Sequence, residues 1–312
     1  MKTILVSAVG GDIGYGIIKA LKESGAPLRF IGFDIRKFNA SSDLMDEFYV
    51  SPPYREEEKW LNFVTGLVHD CYADYFWPVT EPEIRIVDRN RELFNGTTLV
   101  INSSSILRIA LNKALTAAVL RDGGIPTPET WERTDTVSSP YPLIVKEAFG
   151  CGSHSVCLVN SREELEAAFQ GMQAPVVQEC IGSPEEEYTL TVFSDGNTVN
   201  SIAFKRSLGF GGMSRYVELA EDEKLAELAC RLSGLLELRG SVNVQMRKQN
   251  GRYYVFEINP RISSTIGFRV KLGFNDAAWW LDLLNGSAVE QYHCPHRKAF
   301  GVRTVEEKIF FD

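Results

Sequence analysis

The sequence predicts a mixed α/β and α+β protein in three lobes. Three observations predict it. The chain has 312 residues, more than one hydrophobic core usually organises. Its first third alternates short β-branched runs with stretches of helical spacing, the pattern of βαβ units around a parallel sheet. From about residue 126 onward, strand-like runs separated by turns dominate.

In chain order, Thr3 to Val9 reads as a strand, Ile13 to Glu23 as a helix and Leu28 to Phe33 as a second strand ending at Asp34. Further strands are expected at 47–50, 75–79 and 98–101, with helices at 56–70 and 82–93. These make a Rossmann-like lobe over residues 1–103. Ser103-Ser104-Ser105 then offers helix-capping hydroxyls, and Ile106, Ile109, Ala110, Leu115, Val119 and Leu120 predict one helix up to Asp122-Gly123-Gly124. Strands follow at 142–147, 155–159, 176–179, 188–194 and 199–204, with helices at 162–170 and 222–236. A hairpin pairs 241–248 with 252–258 through Asn250-Gly251, residues that tolerate the positive φ of a tight hairpin turn. The second lobe is placed at 104–181 and the third at 182–312.

The formal net charge of −8 argues against a nucleic-acid surface and leaves room for a local basic pocket. Cys71, Cys151, Cys157, Cys180, Cys230 and Cys294 form no CxxC pair, which suits free thiols in a reducing compartment. No apolar run is long enough to cross a bilayer, so the expectation is a cytoplasmic protein that engages no membrane, with a homodimer as the default assembly. His293, Cys294 and His296 lack a fourth ligand, which weighs against zinc.

Two stretches suggest chemistry. The first is VSAVGGDIGYG near the N-terminus. A dinucleotide fingerprint ending at Gly14 needs glycine at position 9 and finds Val9, while Asp34 resembles the acidic ribose-binding residue of such folds. An NAD(P)-dependent oxidoreductase is therefore the alternative reading. The second is GSVNVQMRKQNGRYYVFEINPRISST. Strand alternation puts Glu257 and Asn259 on one face and Asn243 and Gln245 on one face of the partner strand. These oxygen donors suit a hard cation such as Mg²⁺ shared with substrate phosphates; the plainer reading is a polar sheet face.

GSVNVQ followed by FEINPRISS resembles the metal-binding end of the ATP-grasp superfamily, and most of all the synthetase units of carbamoyl phosphate synthetase large subunits and related carboxylate-amine ligases. The resemblance runs along most of the chain. It implies a Rossmann-like pre-ATP-grasp lobe followed by a two-lobed ATP-grasp fold, with ATP and Mg²⁺ (or Mn²⁺) as cofactors and Gln245, Glu257 and Asn259 as metal ligands. It implies phosphate contacts for Lys113 and Lys146 and for the glycine-rich loop of Gly150, Gly152 and Ser153, where backbone amides reach phosphate oxygens unobstructed by Cβ. Ser155 stands where the family loop often has another glycine.

The same resemblance assigns Glu179, Cys180 and Ile181 to the adenine edge and Glu187 to the ribose hydroxyls. It assigns to a covering loop one or more of Lys205, Arg206 and Arg215, without saying which faces inward. Arg261 would hold the reacting carboxylate or its phosphorylated form, catalytic together with Lys146. Ser263, Ser264 and Thr265 would then donate to substrate, or else cap the next helix. Gly10, Gly11 and the helix start at Asp12 or Ile13 become a cradle for a substrate carboxylate, with Asp34 beside it. The implied activity joins a small-molecule carboxylate to an amine through an acylphosphate. A silent ATP-binding regulatory module is the remaining alternative.

Overall fold

The computed structural model describes residues 1–150, 156–209, 212–304 and 307–310. Gly152 and Ser153 lie outside these described residues. The N-terminal unit runs β1 (Lys2–Val6), α1 (Asp12–Glu23), β2 (Leu28–Asp34), β3 (Glu47–Val50), α2 (Glu57–Asp70), β4 (Tyr75–Trp77), α3 (Glu81–Arg89) and β5 (Thr98–Leu99). Its five strands lie in the order β3-β2-β1-β4-β5, every pairing parallel. Both faces of β1 are covered, as a parallel sheet requires: Leu5 joins Phe33, Trp60 and Phe76 on one side, and Ile4 and Val6 join Ile17 and Ile18 on the other.

The single helix expected over 106–120 is two helices, α4 (Ser104–Ala110) and α5 (Lys113–Asp122). Asn112 causes the break. Its side-chain oxygen accepts from the Ala114 and Leu115 amides at 3.0 and 3.1 Å, starting a new helix with Lys113 as its first residue.

The small unit contains β6 (Thr130–Trp131), β7 (Leu143–Glu147), β8 (Val156–Val159), α6 (Arg162–Gln170) and β9 (Pro175–Glu179), an antiparallel sheet ordered β6-β9-β7-β8. The large unit contains β10 (Glu187–Ser194), β11 (Val199–Leu208), β12 (Ser214–Leu219), α7 (Glu223–Leu236), β13 (Gly240–Gln249), β14 (Arg252–Asn259), α8 (Ile266–Arg269), α9 (Asp276–Leu284) and β15 (Phe300–Val302). Its sheet is antiparallel, in the order β14-β13-β10-β11-β12-β15. Asn250 and Gly251 turn the β13–β14 hairpin at φ 50° and 73°, the positive values that an Asn-Gly pair accommodates.

The large unit and the N-terminal unit share a core. Trp280 of α9 meets Trp77 edge-on at 5.7 Å and lies so close to Gly240 that an added Cβ there would sit 2.8 Å from the indole. Asn102, fully buried, donates to the Ser241 and Pro260 carbonyls at 2.8 and 3.0 Å, tying the end of the parallel-sheet unit to the hairpin. Strands β6, β12 and β15 and helix α9 carry no expectation from the sequence, whereas α8 is the helix expected after Thr265; β12 occupies part of the stretch read as a glycine-rich bend.

Candidate active site

The three units converge on a cleft of 290 Å³. The parallel-sheet unit lines it with Ala8, Gly11 to Gly14, Val79 and Thr80; the small unit and α5 with Lys113, Lys146, Glu147 and Gly150; the large unit with Arg206, Asn243, Gln245, Glu257, Asn259, Arg261, Ser263 and Ser264.

Register builds the oxygen-rich wall. Asn243 opposes Asn259 and Gln245 opposes Glu257 across β13 and β14. Gln245 Nε2 donates to Asn259 Oδ1 at 2.8 Å and Asn259 Nδ2 donates to Glu257 Oε1 at 2.7 Å, so carboxylate and amides are held together. The register slips just beyond Gln245, where Met246 pairs with Val255, and Phe256 falls in the bulge. Its carbonyl accepts from Lys146 Nζ at 3.3 Å, which lays the lysine beside Glu257. Lys113 reaches across to the Gly150 carbonyl and closes the basic side.

Burial and charge act against each other here. Lys146 is 5% exposed, and burial pulls its ammonium down to about 8, with the Glu257 carboxylate opposing that fall. Burial alone would raise Glu257, but the charges of Lys113 and Lys146 and the Asn259 amide hold it below the usual carboxylate value. Glu257 is thus an anion facing two cations. One carboxylate and neutral amide oxygens form a hard donor set that fits Mg²⁺ or Mn²⁺ when phosphates complete the shell.

Arg206 is the member of the basic trio that faces the cleft. It is 7% exposed and donates to Gln245 Oε1 at 2.8 Å. Alternation along β11 turns Lys205 outward to Glu186, and Arg215 is exposed, packed against Gly209. Arg261 lines the cleft, and its NH2 donates to Glu81 at 2.9 Å.

Several of the remaining expected residues are engaged by other groups of the protein or lie outside the cleft wall. Glu187 is buried between Arg206, which bonds Oε1 at 2.9 Å, and Arg247, which bonds Oε2 at 3.1 Å, and it lines a second pocket beside the cleft with both arginines. Glu179, Cys180 and Ile181 lie outside that wall, and the Glu179 amide already donates to the Glu129 carbonyl. Asp34 does not line the cleft either: its Oδ2 accepts from the Gly10 amide at 3.0 Å and its Oδ1 from the Arg36 amide. Gly11 donates to the Ala8 carbonyl at 3.1 Å. The Gly10 amide is therefore spent on β2 and the Gly11 amide on the loop itself, and any anion cradle falls to the first-turn amides of α1, at Asp12 to Gly14. Gly14 is obligatory there, since a Cβ would sit 2.5 Å from the Ala8 carbonyl oxygen. Ser263 and Thr265 turn their hydroxyls to the buried Arg269, at 3.2 and 3.1 Å, so that Thr265, although at the N-cap position of α8, makes no capping bond with its side chain.

The sequence alone marks no role for Glu81 or Glu83 in the site. Thr80-x-x-Glu83 is a capping-box signature legible in the sequence, and the box forms. Nothing local shows that Glu81, one residue inside it, meets Arg261, 180 positions away.

The ATP-grasp domain family matches residues 110–265, half of the chain, a stretch that includes Lys113, Lys146, the hairpin and Arg261. The chain belongs to the ATP-grasp family. Among curated relatives, this ATP-grasp chain is 24% identical to the carbamoyl phosphate synthase large chain of Pyrococcus furiosus, over 83% of this chain and 27% of that one. It is 28% identical to the C-terminal section of the Aquifex aeolicus large chain, over 41% and 27%. The chain spans about a quarter of the length of these relatives. Among solved structures, an L-amino acid ligase from Bacillus licheniformis superposes with a TM-score of 0.73 at 20% identity, covering 91% of this chain and 74% of that one. N5-carboxyaminoimidazole synthetase from Staphylococcus aureus, complexed with ADP, gives 0.75 at 16% identity, covering 93% and 79%. Both share the ATP-grasp fold.

Proposed function

We propose that the protein is an ATP-dependent carboxylate-amine ligase working through an acylphosphate. The observation that carries this reading is the convergence of Lys113, Lys146, Glu257, Asn259 and Arg261 on one cleft in a chain of the ATP-grasp family. A carboxylate oxygen of the first substrate attacks the γ-phosphorus of ATP, the bond to the β,γ-bridging oxygen breaks, and ADP leaves. The amine then attacks the acyl carbon, phosphate departs with the former carboxylate oxygen, and the nitrogen loses a proton.

Lys113 and Lys146 hold the phosphates and offset their charge, and Arg261 orients the carboxylate. Glu257, Asn259 and Gln245 would hold Mg²⁺, which when bound neutralises and aligns the phosphate oxygens. The backbone of Cys180 and Ile181 is the adenine-facing edge in this reading, and the start of α1 receives substrate. The same proposal places the protein in the cytoplasm, as a homodimer, with small-molecule partners; no helix among the described residues is long and apolar enough to cross a membrane.

The nicotinamide reading has less support. Val9 is fully buried where a dinucleotide loop needs glycine, and Asp34 is engaged by the loop. Stabilisation by Mg-ATP but not by NAD(P) in a thermal-shift assay is the expected discriminator, and ATP binding without turnover would favour a regulatory module. The deciding experiment is mass spectrometry of products from pooled acids and amines with Mg-ATP. Glu257→Gln and Lys146→Ala are expected to abolish carboxylate-stimulated ADP release while leaving circular dichroism unchanged. Undiminished release in both variants overturns the site assignment.

A further inference from the structure

Glu81 opens α3 in the parallel-sheet unit, yet its carboxylate lies behind Arg261 of the large unit. Its side chain is 9% exposed, and Oε1 accepts from Arg261 NH2 at 2.9 Å and from Asn259 Nδ2 at 3.5 Å. Arg261 lines the cleft and Glu81 does not, so the arginine stands between this carboxylate and the reacting groups.

The placement of Glu81 is fixed from behind. Thr80 and Glu83 cap α3 reciprocally, Pro82 restricts its first turn, and Ser7 at the end of β1 donates to Glu83 at 2.7 Å while accepting from the Val79 amide at 2.9 Å. Hydrogen bonds thus tie Ser7, Val79, Thr80 and Glu83 together, and this fixed first turn of α3 sets where the backbone of Glu81 lies. Arg261 also has a competing anion within electrostatic reach, since its charge acts on Glu257. An arginine drawn onto Glu257 would occupy the one carboxylate of the oxygen-rich wall and turn its own guanidinium away from substrate.

We propose that Glu81 is the positioning residue for Arg261, holding the guanidinium off Glu257 and aimed into the cleft. The pair also makes the site dependent on the docking of the parallel-sheet unit against the large one. This rests on the ligase reading above.

The test uses the full chain with Glu81→Gln, Glu81→Asp, Arg261→Lys and the Glu81→Gln/Arg261→Lys double variant. Carboxylate-stimulated ADP release is followed, and the Arg261 guanidinium is watched by nitrogen-15 NMR, its signal assigned with Arg261→Lys. Glu81→Gln is expected to lower kcat at least 30-fold with the KM for ATP within about twofold, and to raise the Mg²⁺ concentration needed for half-maximal rate. Glu81→Asp should recover part of kcat, and the double variant should be no slower than Arg261→Lys alone. The ion pair with Glu81 is expected to protect the Arg261 signal from exchange in the wild type, and that signal should broaden or vanish in Glu81→Gln.

A Glu81→Gln enzyme within twofold of wild type, or losses that multiply in the double variant, overturns the proposal while the ligase reading stands. If the wild type releases no ADP with any carboxylate, the ligase reading fails instead. The guanidinium signal then decides alone, and an Arg261 signal unchanged in Glu81→Gln overturns the positioning role.

Discussion

Lys146 offers a test of the site that needs no knowledge of the substrates. Burial lowers its ammonium from the ordinary lysine value of 10.5 to about 8. In the free protein the group is then about nine-tenths charged at pH 7 and about one-tenth charged at pH 9. If the charged form is what receives phosphate, the association constant for ATP should fall roughly tenfold per pH unit above 8, measured by calorimetry. Lys146→Arg keeps its charge throughout this range and should abolish the alkaline limb, whatever its affinity at pH 7.

Stability should move the opposite way. The folded state binds fewer protons than the unfolded chain between about 8 and 10.5, so wild-type stability should rise with pH across that window. The depression corresponds to an unfavourable contribution on the order of 3 kcal/mol below pH 8. Lys146→Met removes it and forfeits about 1 kcal/mol for the hydrogen bond to Phe256, a net gain of roughly 2 kcal/mol in urea unfolding at pH 7. ATP affinity flat to pH 9.5, an alkaline limb persisting in Lys146→Arg, or a Lys146→Met variant no more stable than wild type would refute this reasoning.

Two further outcomes concern the scaffold. Burial raises Glu83 above the ordinary carboxyl value, so the folded state binds the extra proton and wild-type stability falls as pH rises from 4.5 through the raised value; urea titrations of Glu83→Gln should lack that fall. Arg269 and Asp276 form an ion pair with both side chains fully buried, so Arg269→Met should cost about 3–5 kcal/mol by leaving Asp276 uncompensated. A loss under 1 kcal/mol in urea unfolding would show that Asp276 finds another partner, such as the Ser241 hydroxyl that already donates to it at 2.6 Å.

Local signals made much of the fold legible. The parallel unit, the hairpin and α6 follow from period and turn chemistry, which act within a few residues. Asn112 shows where such signals mislead: the apolar spacing of 106–120 is helical throughout, and a single side-chain oxygen divides it. That division gives Lys113 its place at the head of α5, beside the cleft. Strand β15 is three residues long and owes its assignment to pairing with β12, some 85 positions earlier, which no local pattern encodes.

For the site, the sequence by itself determined the chemistry: which oxygens share a strand face, which lysines precede them, and the NPR element that follows. Alternation follows from the extended conformation of the strand alone, so it can be read without the rest of the fold. Tertiary structure decided which groups are free to act. Arg206 was chosen over Lys205 and Arg215, Glu187 was committed to two guanidinium groups, and the Gly10 and Gly11 amides went to Asp34 and Ala8. In the opening VSAVGGDIGYG the glycines mark a tight loop, but whether their amides face a ligand depends on an aspartate on the next strand. Arg261 likewise gained its partner from a residue 180 positions away. Availability is settled by which donors and acceptors burial leaves without a nearer partner, and that competition exists only once the chain is folded.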